Sequence, residues 1–537
     1  MNRPTETGGR GFFFKVERLI DETYGSTQLL KREEEAGRAL RSATSASGSE
    51  ALTGHAPRSA FRLLGQAEQI SGAGGTRAAG LLQREEKLYF FLLGVAGLTT
   101  AGMLWFTWTH RHASTTFLHA YSLSLGLLGA AITLAGMGVL GFRIWMACRY
   151  RPYPCVTDEA LPTVTVVIPA FNEGCQVLQT IRSVMASRYP PSKLQVVAVD
   201  DGSTDDTWAW LKRAKREFPT RLLTLRQKIN GGKRRALMAG FQQAAGTIYV
   251  SIDSDSEIPP ETLCHLVSPF VLDPRVGAVA GNVRVLNRDE GVLPKMMEVS
   301  FTAAFDFIRS GQSVFGGVLC TPGALSAYRA SAVRGELPAW LEQRFLGNPA
   351  TIGEDRALTN RILRSGYRVV YQREAVVLTK LPVSYGGLRR MMLRWARSNV
   401  RESMVLGSFL FTPFRVGDTG KGWLRLMGSW HLFLMSVGEA LKLSTFMHLF
   451  LAPMDSLRAL LSGALLASLV PAIVYLRRHR SGFGFRWALP YSLFWLVGLS
   501  WLSAWALVTA RTSRWLTRQP PQPGPSPSLS ARIRSPL

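Results

Sequence analysis

The chain has 537 residues, of which 63 are Lys or Arg and 37 are Asp or Glu, giving a formal charge of +26. Hydrophobic residues make up 47% of the sequence and charged residues 19%, which excludes a wholly disordered chain. Five cysteines are too few, and odd in number, for a secreted disulfide scaffold. So basic a chain usually binds nucleic acid or an anionic lipid surface, and its long apolar segments favour lipid.

The N-terminal part of the chain predicts a polar segment followed by two membrane spans. Residues 1–84 are rich in Gly, Ser, Ala and Arg, and we expect them to be mostly disordered. Residues 85–150 contain two apolar runs, Leu88–Trp108 and Phe117–Ala147, which are joined by the loop His110–His112. Each run is long enough to span a bilayer. Basic residues flank the pair on both sides, so the positive-inside rule places both flanks in the cytoplasm.

Residues 151–383 alternate short β-branched runs with helical patterns. This alternation predicts a parallel, doubly wound α/β domain with its ligand crevice at the carboxyl ends of the strands. Helices are expected at Thr207–Phe218, with a cap near Ser203 and Thr204, and at Ala357–Ser365. The expected strands are Thr163–Pro169, Leu194–Val199, Thr247–Ile252, Val276–Ala280 and Arg368–Tyr371.

Residues 384–423 have an amphipathic pattern. Leu388, Met391, Met392 and Trp395 fall at i, i+3, i+4 and i+7, with arginines largely between them. The pattern predicts interface helices whose apolar face lies in the membrane surface. A helix packed on the α/β domain is the alternative.

Residues 424–510 contain three further apolar runs, which we expect to be membrane spans. The first contains Glu439 and Lys442, whose i, i+3 spacing lets them pair inside the protein. The loop after the second run is basic, which favours a cytoplasmic position for it. The Pro/Ser-rich tail, residues 511–537, is expected to be disordered and is also basic, which favours the cytoplasm for the tail too. Three spans cannot satisfy both, so the number of spans and the side of the C-terminus stay open. The runs are Leu426–Leu451, Ala459–Leu476 and Trp487–Ala510.

Polar and acidic residues follow the first two expected strands. Asn172 and Glu173 follow the first strand and are expected to project into the crevice. Asp200 and Asp201 follow the second, where a carboxylate can accept from a ribose hydroxyl or a base N–H. A helix cap is an equally good interpretation of each motif alone.

The third strand runs directly into Asp253 and Asp255. Residues i and i+2 of an extended segment point the same way, so these carboxylates can share one divalent ion. Hard oxygen ligands suit Mg²⁺ or Mn²⁺ bridging a diphosphate. Upstream, the loop Gly231–Arg234 offers flexible backbone and two cations to a phosphate, although alone it is only a basic loop.

Two further motifs lie downstream. Asp355, in Gly353–Arg356, is either a helix cap or a general base near an acceptor hydroxyl. Arg394 and Trp395 offer a cation for phosphate beside an aromatic platform for a sugar or base, although Trp is also common at membrane interfaces.

Taken in chain order between membrane spans, these motifs resemble those of the processive family 2 glycosyltransferases. That family includes the hyaluronan, chitin, poly-N-acetylglucosamine and cellulose synthases, and the resemblance covers about residues 88–510. Gly232–Arg234 and Gly353–Asn360 look most like the hyaluronan and bacterial chitin-oligosaccharide synthases, and Thr321–Arg329 is similar to their acceptor-side loop. The motifs are Pro169–Glu173, Asp200–Ser203, Asp253–Asp255, Gly353–Arg356 and Arg394-Trp395.

The resemblance implies a role for each motif. Asp355 would be the catalytic base, Asp255 the main ligand of Mn²⁺ or Mg²⁺ with Asp253 assisting, and Lys233 the contact to the diphosphate. Met391 stands where the family has glutamine and cannot form a strong hydrogen bond, which leaves the acceptor and processivity open. The remaining substrate-binding residues would be Glu173, Asp200, Asp201, Arg394 and Trp395.

The resemblance therefore implies a multi-pass α-helical protein of the plasma or inner membrane with a cytoplasmic, Rossmann-like GT-A-type domain. It would be an inverting enzyme that adds sugars from a UDP-sugar to a growing β-linked glycan and exports the product. One alternative is a non-processive transferase with a lipid-phosphate acceptor. Another is a transporter or regulatory membrane protein with an inactive domain. Nucleic-acid binding is least favoured because no signature of a nucleic-acid-binding fold occurs.

Overall fold

The computed structural model describes residues 84–102, 105, 131, 134–451 and 453–512. The expected disordered N-terminal region, the loop His110–His112 and all but the first two residues of the tail lie outside the described residues. Two helices precede the α/β domain: α1, residues 84–102, and α2, residues 134–149. They overlap the two expected N-terminal spans, and apart from residues 105 and 131 the remaining residues of these spans are not among the described residues.

An eight-stranded sheet forms the centre of the α/β domain, in the spatial order β3-β2-β1-β4-β7-β6-β10-β5. The strand β8 pairs with β9 in a separate hairpin. The strands are β1 (Val164–Ala170), β2 (Leu194–Asp200), β3 (Leu222–Arg226), β4 (Ile248–Ile252), β5 (Ser256–Glu257), β6 (Val276–Val285), β7 (Leu325–Arg329), β8 (Arg344–Phe345), β9 (Asn348–Pro349) and β10 (Arg368–Thr379).

The sheet is mostly parallel, as expected. β1 to β4 run parallel to their neighbours among themselves, and β6 runs parallel to β10. β7 pairs antiparallel with both β4 and β6, and the short β5 pairs antiparallel with β10. All five expected strands are present, and each central strand is buried on both faces, which explains their continuous β-branched sequences.

Helices that alternate with the strands along the chain complete the domain. The one expected at Thr207–Phe218 begins at Thr207 as predicted, but Asp206 occupies the cap position, so the predicted cap at Ser203 and Thr204 is wrong. The helices are α3 (Gln176–Met185), α4 (Thr207–Glu217), α5 (Lys233–Gln242), α6 (Thr262–Leu272), α7 (Val292–Thr302), α8 (Ser310–Val314), α9 (Ala330–Val333), α10 (Leu337–Leu341) and α11 (Glu354–Arg364).

The long helix α12 (Tyr385–Leu410) follows the domain. Leu388 and Met391 are buried in the main hydrophobic core, whereas Trp395 is 40% exposed. Arg397 and Arg401 are buried, so not all arginines of this helix face outward. The C-terminal half of α12 is thus packed on protein, as in the alternative to an interface helix.

The remaining helices follow α12 without a strand between them. Within the described part of the chain, two stretches are long and apolar enough to cross a membrane, Ser456–His479 and Phe483–Val508, and they overlap the second and third expected C-terminal spans. The region of the first expected span is helical but contains a π-helical turn at Leu434–Gly438. The helices are α13 (Gly420–Phe433), α14 (Glu439–Leu451), α15 (Pro453–His479), α16 (Phe483–Phe494) and α17 (Trp501–Val508).

Glu439 and Lys442 pair as predicted. Lys442 Nζ lies 2.6 Å from Glu439 Oε2 and also donates to the Ser500 carbonyl at 2.9 Å and to Ser503 Oγ at 2.6 Å. Both side chains are largely buried. Through Ser500 and Ser503, the ion pair therefore connects α14 to the start of α17.

A disulfide links the segment before β1 to the domain. Cys155 and Cys264 are bonded, with Cα atoms 6.0 Å apart, and the backbone N–H of Val156 donates to Ser268 Oγ at 3.1 Å. Both contacts fix this segment, which follows α2, to helix α6.

Candidate active site

The carboxyl ends of β1, β2 and β4 lie at one edge of the sheet. Ala170 at the end of β1 is in register with Asp200 at the end of β2, and β4 pairs with β1 from the other side. Strands running parallel in register deliver the residues that follow them to the same edge. The acidic motifs therefore meet there.

Side-chain hydrogen bonds connect the turns after β1 and β2. The Asn172 N–H donates to Ser203 Oγ at 3.0 Å, and the Thr204 N–H donates to Asn172 Oδ1 at 2.9 Å. The Glu173 N–H donates to Thr207 Oγ1 at 2.9 Å. Ser203 and Thr204, which the sequence predicted as a helix cap, instead hold two turns of the crevice together.

Asp200 and Asp201 are buried and accept hydrogen bonds from backbone. The two carboxylate oxygens of Asp201 accept from the N–H groups of Gly231–Gly232 at 2.9 and 2.8 Å. Asp200 accepts from the N–H of Ser203 at 2.9 Å, and its other oxygen lies 3.2 Å from Arg226 Nε. The structure thus gives both residues a part in holding the crevice, and their contact with a nucleotide stays a prediction.

Lys233, the first residue of α5, forms ion pairs with acids from two distant parts of the chain. Its Nζ pairs with Asp253 Oδ1 and lies 3.2 Å from Glu354 Oε1. Burial opposes the charge, but Asp253 and Glu354 outweigh it and raise the pKa of Lys233. Lys233 is therefore held as a cation between the metal motif and the start of α11.

Asp355 is the second residue of α11, not a residue ahead of it. The helix begins after Gly353, whose φ of +73° is in the left-handed region. A Cβ at Gly353 would lie 1.8 Å from Ser398 Oγ, so only glycine permits this approach of α11 to α12. The Asp355 carboxylate accepts from the N–H of Arg356 at 2.8 Å, and Cys320 Sγ lies 3.7 Å from its Oδ2.

The acids at the start of α11 have opposite pKa shifts. Burial and the negative charge of Glu354 raise the pKa of Asp355. Burial acts in the same direction on Glu354, but the charge of Lys233 outweighs it and lowers the pKa of that carboxyl. Glu354 is therefore a fixed anion, whereas Asp355 has a greater tendency to take up a proton. This is the property that a general base requires.

Lys233, Glu354 and Asp355 share a small cavity with Gly323 and Ser251. Its volume is about 10 Å³, which is room for about one water molecule. The cavity places the predicted base and the predicted phosphate-binding cation at one point, although they come from different motifs.

Asp253 and Asp255 follow β4 and suit a divalent cation. Asp255 Oδ1 accepts from Ser256 Oγ at 3.3 Å. Among the described residues, no three or more His, Cys, Asp or Glu side chains form a metal-binding group. The chain would therefore supply two carboxylates, and phosphate oxygens or water would complete the shell, as is usual for Mg²⁺ at phosphate sites. The donor set fits Mg²⁺ or Mn²⁺.

The two residues of the Arg394-Trp395 motif have different surroundings in the structure. The charge of Arg394 contributes to lowering the pKa of Glu354, so this guanidinium lies near the site. The Trp395 ring packs at 6.2 Å from that of Phe301 in α7. Met391 occupies the position where the family 2 synthases have glutamine. Its side chain lies in the main hydrophobic core, so this side of α12 is apolar.

The sequence did not indicate the buried polar network behind the site, which consists of Arg234, Gln343, Asn360, Arg401 and Glu402. Arg234 Nη1 donates to Gln343 Oε1 at 3.1 Å, and Gln343 Nε2 donates to Glu402 Oε1 at 3.0 Å. Glu402 also accepts from Asn360 Nδ2 at 3.1 Å and from Arg401 Nε at 3.2 Å. The network joins α5, α11 and α12, the three helices that carry Lys233, Asp355 and Arg394.

The sequence analysis also gave no role to Glu354 or Trp340. The Trp340 Nε1–H donates to the Glu354 carbonyl at 2.9 Å, and its ring is fully buried beneath Arg234, 5.2 Å from the guanidinium carbon. Spacing along the chain could not reveal either contact, because residues from separate elements form them.

Comparison with known proteins identifies the family to which the chain belongs. Residues 162–398 match the family described as glycosyltransferase like family 2. An N-acetylglucosaminyltransferase of Rhizobium meliloti (strain 1021) is 32% identical over 400 residues, which are 72% of this chain and 91% of that protein. A hyaluronan synthase of Streptococcus pyogenes is 29% identical over 394 residues, which are 71% of this chain and 88% of that protein.

A mannosyltransferase from Pyrobaculum calidifontis, solved in complex with GDP-Man and Mn²⁺, is 23% identical, with a TM-score of 0.46 over 68% of this chain and 97% of that chain. The expected GT-A-like domain with a mostly parallel sheet is confirmed by the strand order and the family match. The 32% identity over nine-tenths of the rhizobial enzyme identifies the reaction class. The chain belongs to glycosyltransferase family 2 and is a glycosyltransferase.

Proposed function

We propose that the protein is an inverting transferase that adds sugars from a UDP-sugar to a growing β-linked glycan at the membrane. N-acetylglucosamine is the sugar we favour, since the rhizobial relatives are named N-acetylglucosaminyltransferases. The observation that carries the proposal is the position of Asp355 beside the Lys233–Asp253 ion pair. A predicted base, a phosphate-binding cation and a predicted metal ligand share one crevice there.

Asp355 is the proposed catalytic base. An inverting transfer needs a carboxylate that removes the proton of the acceptor hydroxyl as the new bond forms. Burial and Glu354 raise the pKa of Asp355, which makes it a stronger base than an ordinary aspartate. Its hydrogen bond from the Arg356 N–H engages Oδ1, so Oδ2, near the Cys320 thiol, is the oxygen we assign to the acceptor.

Asp253 and Asp255 are the proposed ligands of Mn²⁺ or Mg²⁺. When bound, the ion would neutralise charge on the leaving diphosphate. Lys233 and Arg394 would add positive charge on the same side. We expect that a chelator abolishes transfer and that added Mn²⁺ or Mg²⁺ restores it. Full activity in thoroughly chelated protein would exclude the metal.

Glu173, Asp200 and Asp201 are the proposed nucleotide side of the crevice. Asp201 holds the Gly231–Gly232 turn directly ahead of Lys233, so it supports phosphate binding even without touching the donor. Trp395 is partly exposed and is proposed as an aromatic surface for the glycan.

We further propose that the protein is multi-pass, with residues 151–383 in the cytoplasm, where UDP-sugars are made available. The support is the basic flanks of the first two apolar runs and the two long apolar helices near the C-terminus. The structure contains a Cys155–Cys264 disulfide, but the cytoplasm keeps thiols reduced, so this location predicts that the pair is reduced to two thiols in the cell. The exposed Cys175, in a Cys148→Ser background, should resist an impermeant thiol reagent on intact cells.

A donor panel tests the proposal as a whole. Full-length protein in lipid vesicles is incubated with individual radiolabelled UDP-sugars, and the product is sized and digested with linkage-specific glycosidases. We expect a β-linked glycan of many sugars from UDP-N-acetylglucosamine, alone or with a second donor. A single sugar on a lipid phosphate would indicate the non-processive alternative. No transfer from any donor would contradict the proposal.

A further inference from the structure

The Asp253 carboxylate is already paired with a cation that belongs to the chain. Lys233 Nζ contacts Asp253 Oδ1, and its second acid, Glu354, lies at 3.2 Å. The Lys233 side chain is only 13% exposed, whereas that of Asp253 is 32% exposed. The ammonium therefore lies on the inner side of the carboxylate that we propose as a metal ligand.

The fold leaves room for the ammonium at this point. A Cβ on Gly323 would lie 2.6 Å from Lys233 Nζ, and the same position is 3.7 Å from Asp253 Oδ2 and 3.8 Å from Glu354 Oε1. Any larger residue at position 323 would push the ammonium away. The loop before β7 thus completes a slot in which the lysine contacts Asp253.

We propose that Lys233 holds the place of the divalent cation on Asp253 until the donor binds. Two cations at one carboxylate repel each other strongly in a partly buried site. The metal ion can therefore engage Asp253 only when Lys233 moves away, and the incoming diphosphate offers the ammonium a new anionic partner. Metal and nucleotide consequently bind cooperatively. This inference rests on the proposed metal site at Asp253 and Asp255.

The proposed replacement of Lys233 by the metal ion at Asp253 predicts how the affinity for Mn²⁺ changes, and this affinity can be measured without turnover. In the absence of nucleotide, Lys233 competes with Mn²⁺, so the wild-type protein binds Mn²⁺ weakly and UDP tightens the binding. Removal of the ammonium should strengthen binding of Mn²⁺ alone by about tenfold, within the usual range of coupling between sites. It should also largely remove the effect of UDP on Mn²⁺ affinity.

The test is titration of the full-length protein in detergent with Mn²⁺, followed by electron paramagnetic resonance of the free ion, with and without UDP. The variant Lys233→Met removes the charge. Gly323→Ala keeps the charge but displaces it, and should shift the affinity in the same direction even if Lys233→Met does not fold. Arg235→Met removes an exposed cation two residues along the chain and should leave Mn²⁺ binding unchanged.

Equal or weaker binding of Mn²⁺ alone in both Lys233→Met and Gly323→Ala would overturn the inference. Asp255→Asn separates this failure from failure of the metal site. If Asp255→Asn abolishes Mn²⁺ binding while the other two variants match the wild type, only the role of Lys233 is wrong. If the wild-type protein does not bind Mn²⁺ even with UDP, the metal site and the inference built on it both fall.

Discussion

The two sides of the crevice use their acids differently. On the side of β1 and β2, Asp201 accepts two hydrogen bonds from backbone N–H groups, and Asp200 accepts one and pairs with Arg226. On the side of β4 and α11, Asp253 and Glu354 share the ammonium of Lys233. Backbone N–H groups hold Asp201 and one oxygen of Asp200, whereas the flexible side chain of Lys233 holds the second group.

This difference separates acids that are held by the backbone from acids that are held by a side chain. Backbone N–H groups cannot leave a carboxylate without a change in the turn, so Asp201 and Oδ1 of Asp200 are held in fixed positions in the crevice. A lysine can move when a ligand arrives, and Asp355 keeps an oxygen near a thiol instead of a strong donor. Acidic motifs of similar composition, each at a strand end or a helix start, are therefore held by different kinds of partner.

The largest effect is expected for Asp355→Asn. Loss of a general base lowers transfer by roughly 10²–10⁴-fold. Asparagine keeps an oxygen for the Arg356 N–H, so folding and the affinity for UDP-sugar should be unchanged. Both are measured on one preparation, by donor titration and by product formed per minute. Near-normal transfer would show that Asp355 is not the catalytic base. The proposed difference between the two sides of the crevice would then have no catalytic consequence.

Glu402→Gln is expected to have the next largest effect, on stability. Glu402 is 2% exposed and accepts from Arg401, which is 1% exposed. Removing one charge of a buried pair costs about 3–5 kcal/mol, because the other stays buried without compensation. The unfolding midpoint in detergent should fall clearly, whereas the exposed control Glu342→Gln should not change it. An unchanged midpoint would mean that the buried polar network contributes nothing to holding the three helices.

Asp201→Asn tests the side of the crevice whose acids are held by backbone N–H groups, and a smaller effect on stability is expected. The amide can accept only one of the two glycine N–H hydrogen bonds, and the other N–H is left facing an NH₂ group. An unpaired buried group costs about 1–3 kcal/mol. We expect a lower unfolding midpoint, with Asp289→Asn, in an exposed ion pair, as control. Loss of transfer at full stability would instead make Asp201 a direct participant.

The sequence predicted the parts of the site that lie next to one another in the chain. The runs before Asp200 and Asp253 are continuously apolar because both faces of these strands are buried, so they were recognisable. The strand β7 was missed, because it is inserted antiparallel between β4 and β6 and only tertiary pairing reveals it. The contacts of Lys233 with Glu354 and of Cys320 with Asp355 likewise join distant elements.

The central claim is that Asp355 takes the acceptor proton and that burial and Glu354 raise its pKa. The pH dependence of transfer at saturating donor tests it most directly, in wild type and in Glu354→Gln. A base acts when ionised, so transfer should fall as pH drops through the raised pKa of Asp355. Removing the Glu354 charge lowers that pKa, so the acidic limb should move to lower pH, with Glu342→Gln unchanged. An acidic limb at the same pH in Glu354→Gln and wild type would contradict the account.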